Sequence, residues 1–256
     1  MSSGVDLAGR TCLVVDGARG LGREIAREAG RCGADVVVTY RSAEGSAQAV
    51  ADEITDGTTP GTGYLARTDP ADESSVESLR QVVHESVGRL DVLVTGPRQS
   101  TRQRLADIDR ADWEHAVHRE LRATFYPARA FFPDVRDAVQ GRLLTVSSVV
   151  GNTGAVGAVP FATVSSALFG FSKSLALELA PHESTANCLV AGFTTADDHG
   201  MATVEVNPGG EIPLGRPGEP TEVATVAAML MSEESAYVTG EVLGVTGGYE
   251  RTAPTT

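Results

Sequence analysis

Short apolar runs alternate with longer stretches of helical spacing along nearly the whole chain. Residues 11–15, 35–39, 63–66, 91–94, 142–147, 185–190 and 241–245 are mostly apolar and have the length of buried strands. The intervening segments carry the helical period. One runs from a glycine-rich turn to Cys32; others cover 43–55 and 71–87, start near Asp109, and cover 161–180 and 219–231. In 71–87, Val76, Leu79, Val83 and Val87 recur on one helical face, which predicts a buried stripe. The segment 161–180 is apolar over much of its surface, which predicts contact with both the sheet and a neighbour. This alternation predicts an α/β fold, a doubly wound parallel sheet of the Rossmann type, as a single domain over 1–256. The longest irregular stretch, 193–217, is expected beyond the strand ends as a substrate lid, and 251–256 as a flexible tail.

Composition narrows the function classes. Apolar residues make up 41% and charged residues 21%, as in a soluble globular protein. The net charge is −13 and no basic patch is visible, which argues against nucleic acid as a partner. No apolar run is long enough for a membrane span, and the first ten residues show no basic-then-apolar leader pattern, so the expected compartment is the cytoplasm. Cys12, Cys32 and Cys188 form no Cys-x-x-Cys pair and are expected as buried thiols, with no metal site.

The first candidate chemistry lies after the first strand. Asp16-Gly17-Ala18-Arg19-Gly20-Leu21-Gly22 leads into a helix. Glycines there let a backbone approach a pyrophosphate held on the helix N-terminus. A purely structural turn has the same composition. Arg19 lies in this loop and Arg41 follows the second strand; both suit the 2′-phosphate of NADP(H).

These residues resemble the short-chain dehydrogenase/reductase family, in particular its 3-oxoacyl-acyl-carrier-protein reductases. The resemblance rests on the glycine turn, on Leu144-Thr145-Val146-Ser147-Ser148-Val149-Val150-Gly151, on Asn187 through Gly192, on Gly170 through Ala176, and on the run from Ile212 to Gly248. It implies roles for Gly17, Gly20 and Gly22 at the cofactor, for Asp69 near the adenine, and for Ser148 at the substrate carbonyl. It also implies pairing through the 161–180 helix into a homodimer or homotetramer, or with an active relative.

The departures gather at the same cleft. The family turn is Thr-Gly-x-x-x-Gly-x-Gly; here it is one residue shorter, with Asp16 in the threonine's place. Thr95-Gly96-Pro97-Arg98 stands where the family has Asn-Asn-Ala-Gly. Thirteen residues after Ser148 the family has a tyrosine, and four further on a lysine; here these are Phe161 and Ser165. The lysine lowers the phenol's pKa, and the phenol serves as the general acid or base. None of Tyr40, Tyr64, Tyr126, Tyr237 or Tyr249 falls on this helix. Lys173 is eight residues beyond Ser165, ~12 Å along the helix and off the face. Glu120 replaces an asparagine of the proton relay.

Three functions stay open. The first is a repurposed enzyme on a small ketone, quinone or polyketide-like substrate, by non-standard NADP(H)-linked reduction or by cyclisation, dehydration or isomerisation. Glu120, Arg98, His118 and His115 are its candidate acid–base or anion-binding groups. The second is a non-catalytic subunit of an active relative. The third is a nucleotide or metabolite sensor.

Overall fold

The computed structural model describes residues 4–57, 59–96, 103–195 and 212–249. The elements follow in order as β1 (Thr11–Val14), α1 (Gly20–Arg31), β2 (Asp35–Tyr40), α2 (Glu44–Thr55), β3 (Gly63–Arg67), α3 (Glu73–Val87) and β4 (Val92–Thr95). Then come α4 (Arg110–Asp137), β5 (Arg142–Ser148), α5 (Val150–Thr153), α6 (Val159–Leu179), β6 (Thr185–Ala191), α7 (Pro220–Met231) and β7 (Val242–Val245). Every strand predicted from the pattern is present, with ends shifted by a residue or two. The short helix α5 is a turn that the periodicity does not predict, because four residues are too few to show a helical repeat.

The strands form one parallel sheet in the order β3-β2-β1-β4-β5-β6-β7. Helices cover both faces, so the strands are apolar on both sides. Cys12 and Val14 of β1 point into one core with Ile25, Val36, Val38, Ile54 and Val223. Leu13 and Val15 point into the other with Leu79, Leu93, Phe131, Leu143 and Leu179. The three cysteines are buried and form no disulfide.

Chain ends of the helices obey local chemistry. Asp109 caps α4, its carboxylate accepting from the Asp112 amide at 2.7 Å. Asp72 caps α3 through the Ser75 amide at 2.8 Å. Pro220 opens α7 behind a reciprocal cap between Glu219 and Glu222. In α6, Val164, Ser165, Leu168, Ser172, Ala176 and Leu179 form the buried face.

At the amino end of the sheet Arg142 is 1% exposed. Its guanidinium donates to the carbonyls of Gln140 at 2.7 Å, Gly141 at 3.1 Å and Ser232 at 3.1 Å. Burial, with Arg10 nearby, pulls its pKa down to about 10.

The order reverses between β1 and β4. This reversal marks the crevice position beyond the carboxyl ends of those strands, where an open α/β sheet usually holds its ligand. The irregular stretch 193–217 leaves the sheet at this end. Its described ends are clasped: the Gly218 amide donates to the Phe193 carbonyl at 2.9 Å and the Thr195 amide to Gly218 at 2.9 Å. Residues 196–211, the body of the expected lid, and the expected tail 251–256 lie outside the described residues.

Candidate functional site at the carboxyl ends of the strands

The glycine turn joins β1 to α1. Asp16 adopts φ +56°, the left-handed region, and its amide donates to Thr39 Oγ1 at 2.9 Å. Gly22 lies so close to this turn that a Cβ would stand 2.7 Å from the Asp16 carbonyl. Arg19 precedes α1 in extended conformation and is half-buried. Across the crevice, a Cβ on Gly96 would meet the Val146 carbonyl at 2.3 Å. Backbone therefore packs against backbone on both walls. This geometry fits a ligand that is recognised by main-chain amides and a helix N-terminus, as a nucleotide pyrophosphate is.

Arg41 and Asp69 stand at the carboxyl ends of β2 and β3, as the pattern predicts. Two further arginines join them that the sequence reading passed over. Arg67 ends β3 and donates from Nε to the Arg41 carbonyl at 3.2 Å. Arg119 reaches over from α4 to Asp69. The signal for Arg67 was available, since it faces Tyr40 in the strand register. Arg119 is fifty residues from its partner and gave no local signal.

The serine pair ending β5 divides between two tasks because side chains alternate along a strand. Ser147 is 4% exposed and donates to the Ser165 carbonyl at 2.9 Å, tying β5 to α6. Ser148 is half-buried and, among the described residues, takes a long contact, 3.4 Å, from the Val150 amide. Its hydroxyl is the one left for the crevice.

Phe161 and Ser165 share a face of α6, one turn apart. Phe161 is half-buried. Ser165 is 0% exposed, and its hydroxyl has no hydrogen-bond partner among the described residues. The α5 turn packs on it: a Cβ on Gly151 would lie 2.9 Å from Ser165 Cβ and 3.0 Å from the Phe169 ring. Lys173 is exposed two turns down the same helix.

Glu120 is 7% exposed on the inner face of α4. His118 and His115 are exposed. His118 lies two residues before Glu120, roughly 200° around the helix, so the two cannot share the crevice. His118 therefore lies on the exposed side of α4, away from Glu120. Arg98 and Pro97 lie outside the described residues. Asn187, in the family-like segment of β6, is a structural clamp. It donates to Val238 at 2.8 Å and accepts from the Glu241 amide at 3.1 Å.

A hollow of about 420 Å³ lies elsewhere, along the outer face of α3 between Glu77, Arg80, Gln81, His84 and Glu85. It is lined by side chains of one helix, two of which, Arg80 and His84, are paired with Asp134 of α4, and it carries no site. No cluster of metal-binding side chains occurs among the described residues, and no described helix is long and apolar enough to cross a membrane.

Residues 16–250 match the family model described as enoyl-(acyl carrier protein) reductase. The 3-oxoacyl-[acyl-carrier-protein] reductase FabG of Aquifex aeolicus is 34% identical over 248 residues, 95% of this chain and 98% of the relative. The Escherichia coli FabG is 33% identical with the same coverage. A putative short-chain alcohol dehydrogenase from Sinorhizobium meliloti superposes with a TM-score of 0.88 at 30% identity, covering 97% of this chain and 99% of the other. With the reversed strand order and the glycine turn in place, these matches leave one assignment: the chain belongs to the short-chain dehydrogenase/reductase family, among its 3-oxoacyl-acyl-carrier-protein-reductase-like members.

Proposed function

We propose that this protein is an atypical enzyme of the family, one that keeps a cleft for NADP(H) and works without the tyrosine–lysine relay. The observation that carries the reading is the pair on the first turns of α6. Phe161 has no titratable proton, and Ser165 is a neutral hydroxyl sealed under α5. Neither residue can deliver a proton to a carbonyl, and no ammonium is present to lower a phenol's pKa. Losing a general acid costs about 10²–10⁴ in rate, which leaves a slow or specialised reaction.

Gly17, Gly20 and Gly22 would hold the pyrophosphate, and Arg41 with Arg67 the 2′-phosphate. A bound nicotinamide supplies or accepts hydride. Ser148 would orient the substrate oxygen. Glu120 is the carboxylate nearest in the pattern to the family relay and would hold a proton on the α4 side. The matching substrate is a small organic ketone, quinone or polyketide-like molecule whose own hydroxyl provides the proton. The same cleft would also serve cyclisation, dehydration or isomerisation without net redox.

Calorimetric titration with NADPH and NADH tests this. Binding of NADPH, tighter than of NADH, is expected. Absence of binding by either at millimolar concentration rules out the redox form.

A second reading, a partner subunit of an active relative, draws on exposed apolar side chains on the two long helices. Phe125 of α4 is 45% exposed and Leu177 of α6 is 78% exposed. Such residues favour a covered surface, in a homodimer, a homotetramer or a mixed oligomer. Gel filtration alone and with an active relative separates these; a homo-oligomer with no exchange counts against the mixed form.

A further inference from the structure

Two guanidiniums bear on one carboxylate beyond β2 and β3, and a third arginine is tied to the backbone of one of them. Asp69 is fixed by its own loop: Oδ1 accepts from the Ala71 amide at 3.1 Å, and the Asp69 amide donates to Ser75 Oγ at 2.9 Å. Arg119 approaches from α4, with Nη2 3.3 Å from both carboxylate oxygens. Arg41 approaches from the end of β2, with Nη1 3.9 Å from Oδ2. Arg67 is tied to the Arg41 carbonyl.

The distances rank the two partners of Asp69. At 3.9 Å Arg41 is attracted but not hydrogen-bonded. Arg119 is nearer, touches both oxygens and is the less exposed, 27% against 45%. Asp69 is therefore neutralised chiefly by Arg119, and the donors of Arg41 stay available. Without Arg119, Asp69 would draw Arg41 onto itself. It would also stand as a bare negative charge beside any arriving phosphate.

We propose that Arg119 sets nucleotide specificity through Asp69: it neutralises that carboxylate and so leaves Arg41 and Arg67 to take the 2′-phosphate of a phosphorylated nucleotide. The inference rests on the nucleotide cleft proposed above. Arg119 is a positioning residue and touches no nucleotide. Its position on α4, next to Glu120, also links the adenosine end of the cleft to the catalytic end.

The test uses the full chain, titrated with adenosine 2′,5′-bisphosphate and with ADP, which lacks the 2′-phosphate. The wild type should prefer the bisphosphate. Arg119→Gln should weaken the bisphosphate about tenfold and ADP by less than about twofold, the size expected for one charge-assisted contact at a partly exposed site. Asp69→Asn keeps the Oδ1 acceptor for Ala71, so the loop should fold. Adding it to Arg119→Gln should restore the preference for the bisphosphate over ADP, which a merely structural ion pair would not do. Equal losses for the two nucleotides, or no rescue, overturn the inference. So does a wild type that shows no preference for the bisphosphate. If Arg119→Gln does not fold, Asp69→Asn alone decides: it should hold or raise the preference for the bisphosphate over ADP, a ratio in which any adenine contact of Asp69 cancels, and a fall in that ratio overturns the proposal. Binding of neither NADPH nor NADH, with an Arg119-dependent preference for the bisphosphate intact, sinks the proposed cofactor function and leaves this inference standing.

Discussion

Ser165 offers a direct test of the proposed loss of the relay. Its side chain is 0% exposed, and its hydroxyl meets no acceptor among the described residues. A buried hydroxyl without a partner costs about 1–3 kcal/mol relative to the solvated group. Ser165→Ala removes that group and keeps the Cβ on which Gly151 packs. The lost contacts of one oxygen offset part of the gain, so a net stabilisation of about 1 kcal/mol is expected. For a chain of 256 residues this raises Tm by roughly 2–4 °C. Urea unfolding followed by circular dichroism, at fixed protein concentration, measures it; the slope m should not change. A variant less stable than the parent by more than about 0.5 kcal/mol, with m unchanged, would refute the reasoning. It would mean that the hydroxyl is bonded in solution, so that position 165 still serves a polar function.

The remaining expectations concern the relay, the sheet and acid behaviour. Phe161→Tyr with Ser165→Lys should raise NADPH-dependent reduction of a model 3-oxoacyl thioester by about 10²-fold or more over the parent; a folded, NADPH-binding double variant without gain shows that more than the relay was lost. Arg142→Met should destabilise by roughly 2–5 kcal/mol in the same unfolding assay, because it strands carbonyls of Gln140, Gly141 and Ser232 in a buried site; a loss under about 1 kcal/mol contradicts the role assigned to it. The Glu222 carboxyl is held at about 2 by Arg216, then by the Glu219 amide. Its folded value is depressed, so its contribution to stability is complete above the ordinary glutamate range and is lost as pH falls towards about 2. Carboxyl-detected NMR should show this low midpoint, and Arg216→Gln should move it upward; an unchanged midpoint in that variant refutes the cause.

The strand–helix order was legible because period-two and period-3.6 signals are local and each segment carries its own. The glycine turn and the end of β2 were legible for the same reason: residue type and strand position are enough to place Gly17 through Gly22 and Arg41 at one edge. The short helix α5 was not, since one turn has no period. The placing of His118 and Glu120 on different faces was not legible, because spacing in the chain does not say which face of α4 turns inward; packing of Ala123, Ala128 and Phe131 on the sheet does.

The sequence by itself determined the parallel α/β architecture, the crevice edge, and the residue types at 148, 161 and 165. Only the tertiary structure decided how those types are used. It sent Ser147 into α6 and left Ser148 for the crevice, sealed Ser165 under Gly151, brought Arg119 to Asp69 across fifty residues, and buried Arg142 among carbonyls of distant segments. The physical reason is common to all four. Burial and hydrogen-bond partners depend on which segments the folded chain brings together, and no local pattern encodes a partner fifty or ninety residues away.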